Sequence, residues 1–513
     1  MKLLFVPDKV SNPVRRQVIN RHIIEYVKAR DKDRLKVKAK MLSGGVWRGM
    51  LTTLQLEPWA SITQLSDPLA REVFHYSVNI FWPGFDPGAE KHAVAKAWAP
   101  IALQEPVLFN ALMWAAILHI QTRRRTRTLD LAMLSYYHQT VELLRTELSK
   151  QAFCPRDGLI MAVLFLQIDD SLSTMKWDHR HNILGTFSSL QWLDDYSRLP
   201  FVESHRVALV NIIGACGIDC LEVRGLASLV QYFDVISSTL NLTNPTLPLC
   251  KLYRTVQDAE TRFTAFGHHI EEVVLKASEV QPSLSNLVEG VELDPQIVEL
   301  ILDLRTLCLL FEVYQSGRSD DCNLSKLSIH RNLIHYRLLE SMKEMPVCFG
   351  TSITGLVRST LLAFNMCVIF RVVHQYSLRS VLEDMKSGID NLLSRLEDKE
   401  MIELCTWCCM IGAIGSIATG NDNLQFWFEN QLLVMELSKA GGSELDAPVR
   451  TYSDVRMTLE RYLWYGRSCD AQAILVWQRV HAKLLHILSE WILDAHLGTP
   501  LSFPDHSAVM EHT

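Results

Sequence analysis

Five hundred and thirteen residues exceed one ordinary domain. A composition of 48% hydrophobic and 21% charged residues, with only 23 Gly and 18 Pro, excludes long disorder, collagen-like repeats and an all-β sandwich. Lys+Arg 51 against Asp+Glu 57 gives a net charge of −6, so the chain as a whole is no polycation for nucleic acid.

The chain opens with the four apolar residues Leu3 to Val6 before Pro7 and Asp8. A signal peptide needs an apolar stretch of roughly 7–15 residues, so an intracellular chain is expected. Asn12 and Pro13 start a helix that carries Ile19, Ile23, Tyr26 and Val27 on one face. Residues 15–40 hold ten basic and three acidic residues, a charge of +7 that leaves −13 for the other 487 residues. Lys28, Arg30, Lys32, Arg34, Lys36, Lys38 and Lys40 are the candidate nuclear-import or phosphate-contact segment. The plainer reading of the same charges is a solvated helix running into a linker. The expected organisation is a basic N-terminal segment of helix plus linker over 1–45 and a helical domain over 46–513.

Further helices follow in order. Leu108 to Ile120 is apolar and is followed by Arg123 to Arg127, cations that suit a helix C-terminus. Leu134, Tyr137, Val141, Leu144 and Leu148 recur at spacings of three and four, an amphipathic helix. Cys216 and Cys220 fall four apart in another apolar helical pattern. Asp294 and Pro295 cap a helix with Ile297, Leu300, Leu304, Leu307 and Phe311 on its face, and Leu382, Met385, Ile389, Leu392 and Leu396 repeat the pattern. Breaks are expected at 83–88, 241–248, 316–323 and 441–448. Alternation of apolar and polar residues is confined to Lys36 to Lys40. The fold class is therefore all-α, a large multi-helix array with one extended core.

The longest uncharged tract, Leu404 to Asn421, is interrupted by Thr406, Ser416, Thr419 and three Gly. It reads as a buried core helix, where a membrane span would want about 20 mostly apolar residues. Within it, Cys405, Cys408 and Cys409 lack the second ligand pair of a zinc site, and no metal is expected. Gly415 to Gly420 has the glycine spacing of a phosphate loop without its Lys and hydroxyl. His268-His269, Asp169-Asp170 and Asp194-Asp195 have no partner that spacing identifies. The signatures of hydrolases, metalloproteases and dinucleotide enzymes are missing, so neither catalysis nor a cofactor is expected.

These residues resemble the helical regulatory region of fungal zinc-cluster transcription factors. Val18 to Tyr26 with its basic tail is similar to that family's opening helix. Leu108 to His119, Ser135 to Arg145 and Leu159 to Asp169 are similar to its central helices. Trp407 to Gly415, Phe426 to Phe428, Leu459 to Trp464 and Cys469 to Trp477 follow its closing helices in order. The family's direct DNA readers carry six N-terminal cysteines that hold two zinc ions and aim a helix into the major groove. Here the first Cys is Cys154, so that cluster is missing from this sequence.

The resemblance implies a nuclear transcriptional regulator, able to shuttle with the cytoplasm, of the kind that serves secondary-metabolite gene clusters. Its expected partners are other transcription factors or a second copy, with DNA reached indirectly or weakly and no membrane. The alternative is a helical small-metabolite sensor, its effector unknown, whose transcriptional role is vestigial.

Overall fold

A computed structural model describes residues 65–86, 92–124, 131–150, 155–168, 190–197, 199, 201–258, 262–267, 269–278, 293–317, 322–342, 352–392, 399–440 and 450–496. Among them the regular structure is helical, with one isolated antiparallel bridge between Ile168 and Phe201. In chain order the first helices are α1 (Pro68–Tyr76), α2 (Ala93–Gln104), α3 (Pro106–Arg124), α4 (Leu131–Leu148), α5 (Asp157–Phe165) and α6 (Leu193–Tyr196). Next come α7 (Glu203–Cys216), α8 (Leu226–Asn241), α9 (Lys251–Gln257), α10 (His269–Ser278), α11 (Pro295–Gln315) and α12 (Leu324–Glu340). The last are α13 (Ile353–Phe364), α14 (Gln375–Leu392), α15 (Lys399–Thr419), α16 (Asp422–Ala440), α17 (Tyr452–Tyr462) and α18 (Gly466–His496).

The class is all-α, as expected. The chain's contacts gather into two compact units. Unit 1 is Met1–Trp177, Leu199–Phe233 and Leu247–Cys250, and unit 2 is Asp178–Arg198, Asp234–Thr246 and Lys251–Thr513. The physical reason lies in two helices, α3 and α15, that are apolar on every side. Such a helix must be covered all round, and each recruits its own shell of neighbours.

In unit 1, α3 is buried from Val107 to His119 and packs against α1, α2, α4 and α5. Arg123 and Arg124 occupy its last turn, where their charge favours the helix dipole. Aromatic side chains fill the space beside it, Trp82 edge-on to Trp98 at 5.9 Å and Phe81 near Phe165 at 6.0 Å. The Trp98 indole donates to the Arg224 carbonyl at 2.9 Å, which satisfies its buried N–H. Two expectations shift here. Of the expected seam on α4, Leu144 is buried and Leu134, Tyr137, Val141 and Leu148 are half-buried, while Met133 and Thr140 join the buried face, Thr140 by donating its hydroxyl to Tyr136 O at 2.7 Å. Cys216 and Cys220 do not share a helix, since Gly217 at φ 83° ends α7 between them.

In unit 2, Asp294 caps α11 by accepting from Gln296 N at 2.9 Å, and the expected face from Ile297 to Phe311 is buried. Leu382, Met385, Ile389 and Leu392 of α14 are buried too, while Leu396 lies outside the described residues. At the centre, α15 packs against α13, α14, α16, α17 and α18. Among the described residues it alone is long and apolar enough to cross a membrane, and 83% of its apolar window is buried inside the protein. Gly412 and Gly415 let neighbours close in: a Cβ at 412 would meet the Phe428 ring at 2.4 Å, and one at 415 would meet Leu382 at 2.9 Å. Gly420, at φ 65°, follows the end of the helix, so the Gly415 to Gly420 run is a helix terminus rather than a phosphate loop.

Candidate functional site

The basic candidates Lys28, Arg30, Lys32, Arg34, Lys36, Lys38 and Lys40 lie outside the described residues, as do the 45/46 boundary, Asp169 and Asp170. Asp194 sits in the first turn of α6 and faces Arg371 at 3.6 Å. Cys405, Cys408 and Cys409 are buried along α15, where burial pushes the Cys405 thiol up to about 12 and the other two well above their ordinary value. Among the described residues, no group of three His, Cys, Asp or Glu is placed to hold a metal ion.

What unit 2 brings together is a set of residues that spacing did not single out. Helix α12 carries His330, Arg331, Asn332 and His335, all at 2% exposure or less. Burying such groups is costly unless each finds partners. Asn332 Oδ1 accepts from Arg331 at 3.0 and 3.1 Å, and its amide donates to Gln191 Oε1 at 2.9 Å and to the Tyr253 hydroxyl at 3.0 Å. Arg331 also donates to Gln191 Oε1 at 2.8 Å and stands 5.2 Å from the Phe370 ring centre, a cation–π arrangement.

One turn on, His335 stacks on the same ring at 4.2 Å, 14° from parallel. Asn365 Nδ2 lies 2.8 Å from its Nδ1, so that nitrogen accepts and Nε2–H donates to Thr239 Oγ1 at 2.8 Å. Thr239 passes the chain on to Val235 O at 2.7 Å. Burial, reinforced by the Arg331 charge, lowers the His335 pKa to about 3, which matches this neutral tautomer.

The network also explains a strained stretch of backbone. Gln191 and Trp192 are consecutive non-glycine residues at φ 55° and 57°. Left-handed backbone of this kind costs on the order of 1–3 kcal/mol per residue and survives where its surroundings over-determine it. Here Arg331 and Asn332 both donate to the Gln191 side chain, which offsets that cost.

A second, partly buried set joins Arg262 to Glu299 and Asp303 of α11 and to Arg337 of α12. Arg262 reaches Glu299 at 2.6 Å and Asp303 at 2.7 Å, and Arg337 reaches Glu299 at 2.8 Å and shares Asp303. His330 turns one ring nitrogen to Lys326 O at 2.8 Å and the other to Arg262 O, although burial lowers its pKa. A neutral ring can donate to only one of the two carbonyls.

Thr239, Arg331, His335, Asn365 and Phe370 are each 0% exposed, so this centre is a polar core that specifies one packing and not a solvent-facing reaction site. A cavity in the same unit, lined by Leu242, Arg358, Ser359, Leu362 and Asp384 among others, measures about 20 Å³, room for a single water. The one weak signal for the network was the pair Arg331 and His335, four residues apart on α12. Polar residues at helical pitch ordinarily mark a solvated face. No family model, no curated protein and no solved structure matches this chain.

Proposed function

We propose that the chain is a non-catalytic transcriptional regulator that works through protein–protein contacts of its helical body and reaches DNA through a partner. The observation that carries this reading is the charge division: +7 over residues 15–40, against −13 for the remaining 487. An acidic body is repelled by DNA, whereas a basic end can meet phosphates or an import receptor. The helical character of the body supports the reading, since it offers packed helix faces for partners. Phosphate contacts from the basic end position a protein without reading sequence.

The test is a salt titration of the full chain on candidate promoters and on scrambled DNA of equal length. Weak binding that falls steeply with salt is expected, with dissociation constants of roughly 10⁻⁴ to 10⁻⁶ M for either sequence. Promoter occupancy in cells is expected alongside it. Nanomolar binding that discriminates promoter from scrambled DNA overturns the partner-mediated route. A fluorescent fusion that is never nuclear and occupies no promoter overturns the regulator reading itself.

A further inference from the structure

Ten cysteines lie among the described residues, and eight of them are buried. The other two, half-buried Cys216 and exposed Cys220, stand on either side of the glycine that ends α7. The chain folds back on itself between them. Gly217, at φ 83° and ψ 145°, donates to Ile213 O at 2.7 Å, and the 3-10 turn Ile218–Cys220 follows at once. Cys220 N donates to Gly217 O at 3.3 Å, and the Cys220 thiol lies over residue 217, where a Cβ would meet its Sγ at 3.9 Å. We propose that Cys216 and Cys220 form a dithiol modification site, which a low-molecular-weight disulfide oxidises to an intrachain bridge.

The backbone permits that bridge. Consecutive Cα atoms are about 3.8 Å apart, and one extended glycine followed by a 3-10 turn returns the Cys220 Cα to about 6–7 Å from that of Cys216. A disulfide spans about 4.4–6.8 Å between Cα atoms. The chain just beyond the turn is held in place. Val223 N donates to Asp157 Oδ2 at 2.6 Å, and the Trp98 indole bonds Arg224 O at 2.9 Å, so α5 and α2 fix it within unit 1. Cys220 therefore stays beside the helix end. Exchange needs a thiol that a small disulfide can reach, and among the described residues this turn offers one with a second thiol close by.

Exposed Cys220 is the attacking group. Its thiolate joins one sulfur of the small disulfide, and the electron pair of the broken S–S bond leaves on the other sulfur, which takes up a proton. The Cys216 thiolate then attacks Cys220 Sγ, forms the Sγ–Sγ bond and expels the second small thiol. Two cysteine thiols are thereby oxidised, one small disulfide is reduced to two thiols, and both protons end on those. In a reducing compartment such a bridge is transient and reports the thiol–disulfide balance. The site stands independently of the proposed function.

The test treats the full chain with glutathione disulfide, quenches with acid at intervals and maps peptides by mass. The tryptic peptide Val207–Arg224 carries both cysteines and no other. In the wild type it is expected to lose two hydrogens, with little mixed disulfide at any time, and to regain them with dithiothreitol. Cys216→Ser is expected to hold glutathione on Cys220 with a lifetime at least about tenfold longer, because the resolving thiol is gone. Cys220→Ser is expected to form no bridge within the peptide. Unchanged far-ultraviolet circular dichroism in both variants keeps folding out of the comparison. A wild type that takes up no glutathione and forms no bridge overturns the proposal. So does a mixed disulfide on Cys220 that persists as long in the wild type as in Cys216→Ser, or a bridge from Cys220 to any cysteine other than Cys216.

Discussion

Replacing Gly412 by Ala places a methyl group where α15 meets α16. The new carbon would lie 2.4 Å from one Phe428 ring atom and 2.5 and 2.6 Å from two others. Ordinary carbon contacts are about 3.5–4.0 Å, so ring or helix must give by about 1 Å. Phe428 is 0% exposed, which leaves the ring little freedom to turn away. Overpacking of a filled core typically costs about 1–3 kcal/mol. Alanine's better helix propensity returns about 0.5–1 kcal/mol, for a net loss of about 1–2 kcal/mol.

The same substitution at Gly214 in α7 meets nothing within 4 Å, so only the propensity gain of about 0.5–1 kcal/mol remains there. Two chemically identical changes are thus expected to differ in sign. The assay is urea unfolding followed by far-ultraviolet circular dichroism, with each variant's midpoint compared with that of the wild type. A Gly412→Ala variant as stable as the wild type, or a Gly214→Ala variant that loses stability, refutes the packing argument.

The remaining predictions concern the buried polar centre and the thiols. His335 titrates near 3 when folded against about 6.5 unfolded, so the unfolded chain takes up the proton first. Stability is then fullest above pH 6.5 and falls by about 2 kcal/mol between pH 7 and pH 5. The lowered His330 pKa adds in the same direction, and His335→Gln is expected to flatten the slope measured by denaturation at both pH values. Arg331→Met removes the donors to Asn332 Oδ1 and is expected to cost about 3 kcal/mol, with a loss below 1 kcal/mol in the same assay counting against the network. In native protein a thiol-specific reagent followed by peptide mapping is expected to modify exposed Cys220 promptly and to spare Cys405, Cys408 and Cys409 until unfolding. Rapid labelling of the buried three would contradict their placement.

Local periodicity was enough for the all-α class. The Asp294–Pro295 cap, the inward face from Ile297 to Phe311 and the buried α15 are written in spacings of three and four, which a helix converts directly into one side. The same logic missed Thr140, because a hydroxyl that bonds its own helix backbone can be buried like an apolar group. It also passed over Gly217, whose single positive φ separates two cysteines that periodicity had joined. The polar centre lay further beyond reach. Arg331, Asn332 and His335 become core residues only because Gln191, Tyr253, Thr239, Asn365 and Phe370 arrive from distant parts of the chain to satisfy them. A polar residue's burial depends on partners that spacing along one helix does not encode. Composition and pattern therefore determined which helices exist and which faces are apolar. The tertiary structure decided what packs around the two apolar helices, α3 and α15, and which polar side chains of α12 meet partners in the interior, because both depend on residues far apart in the sequence.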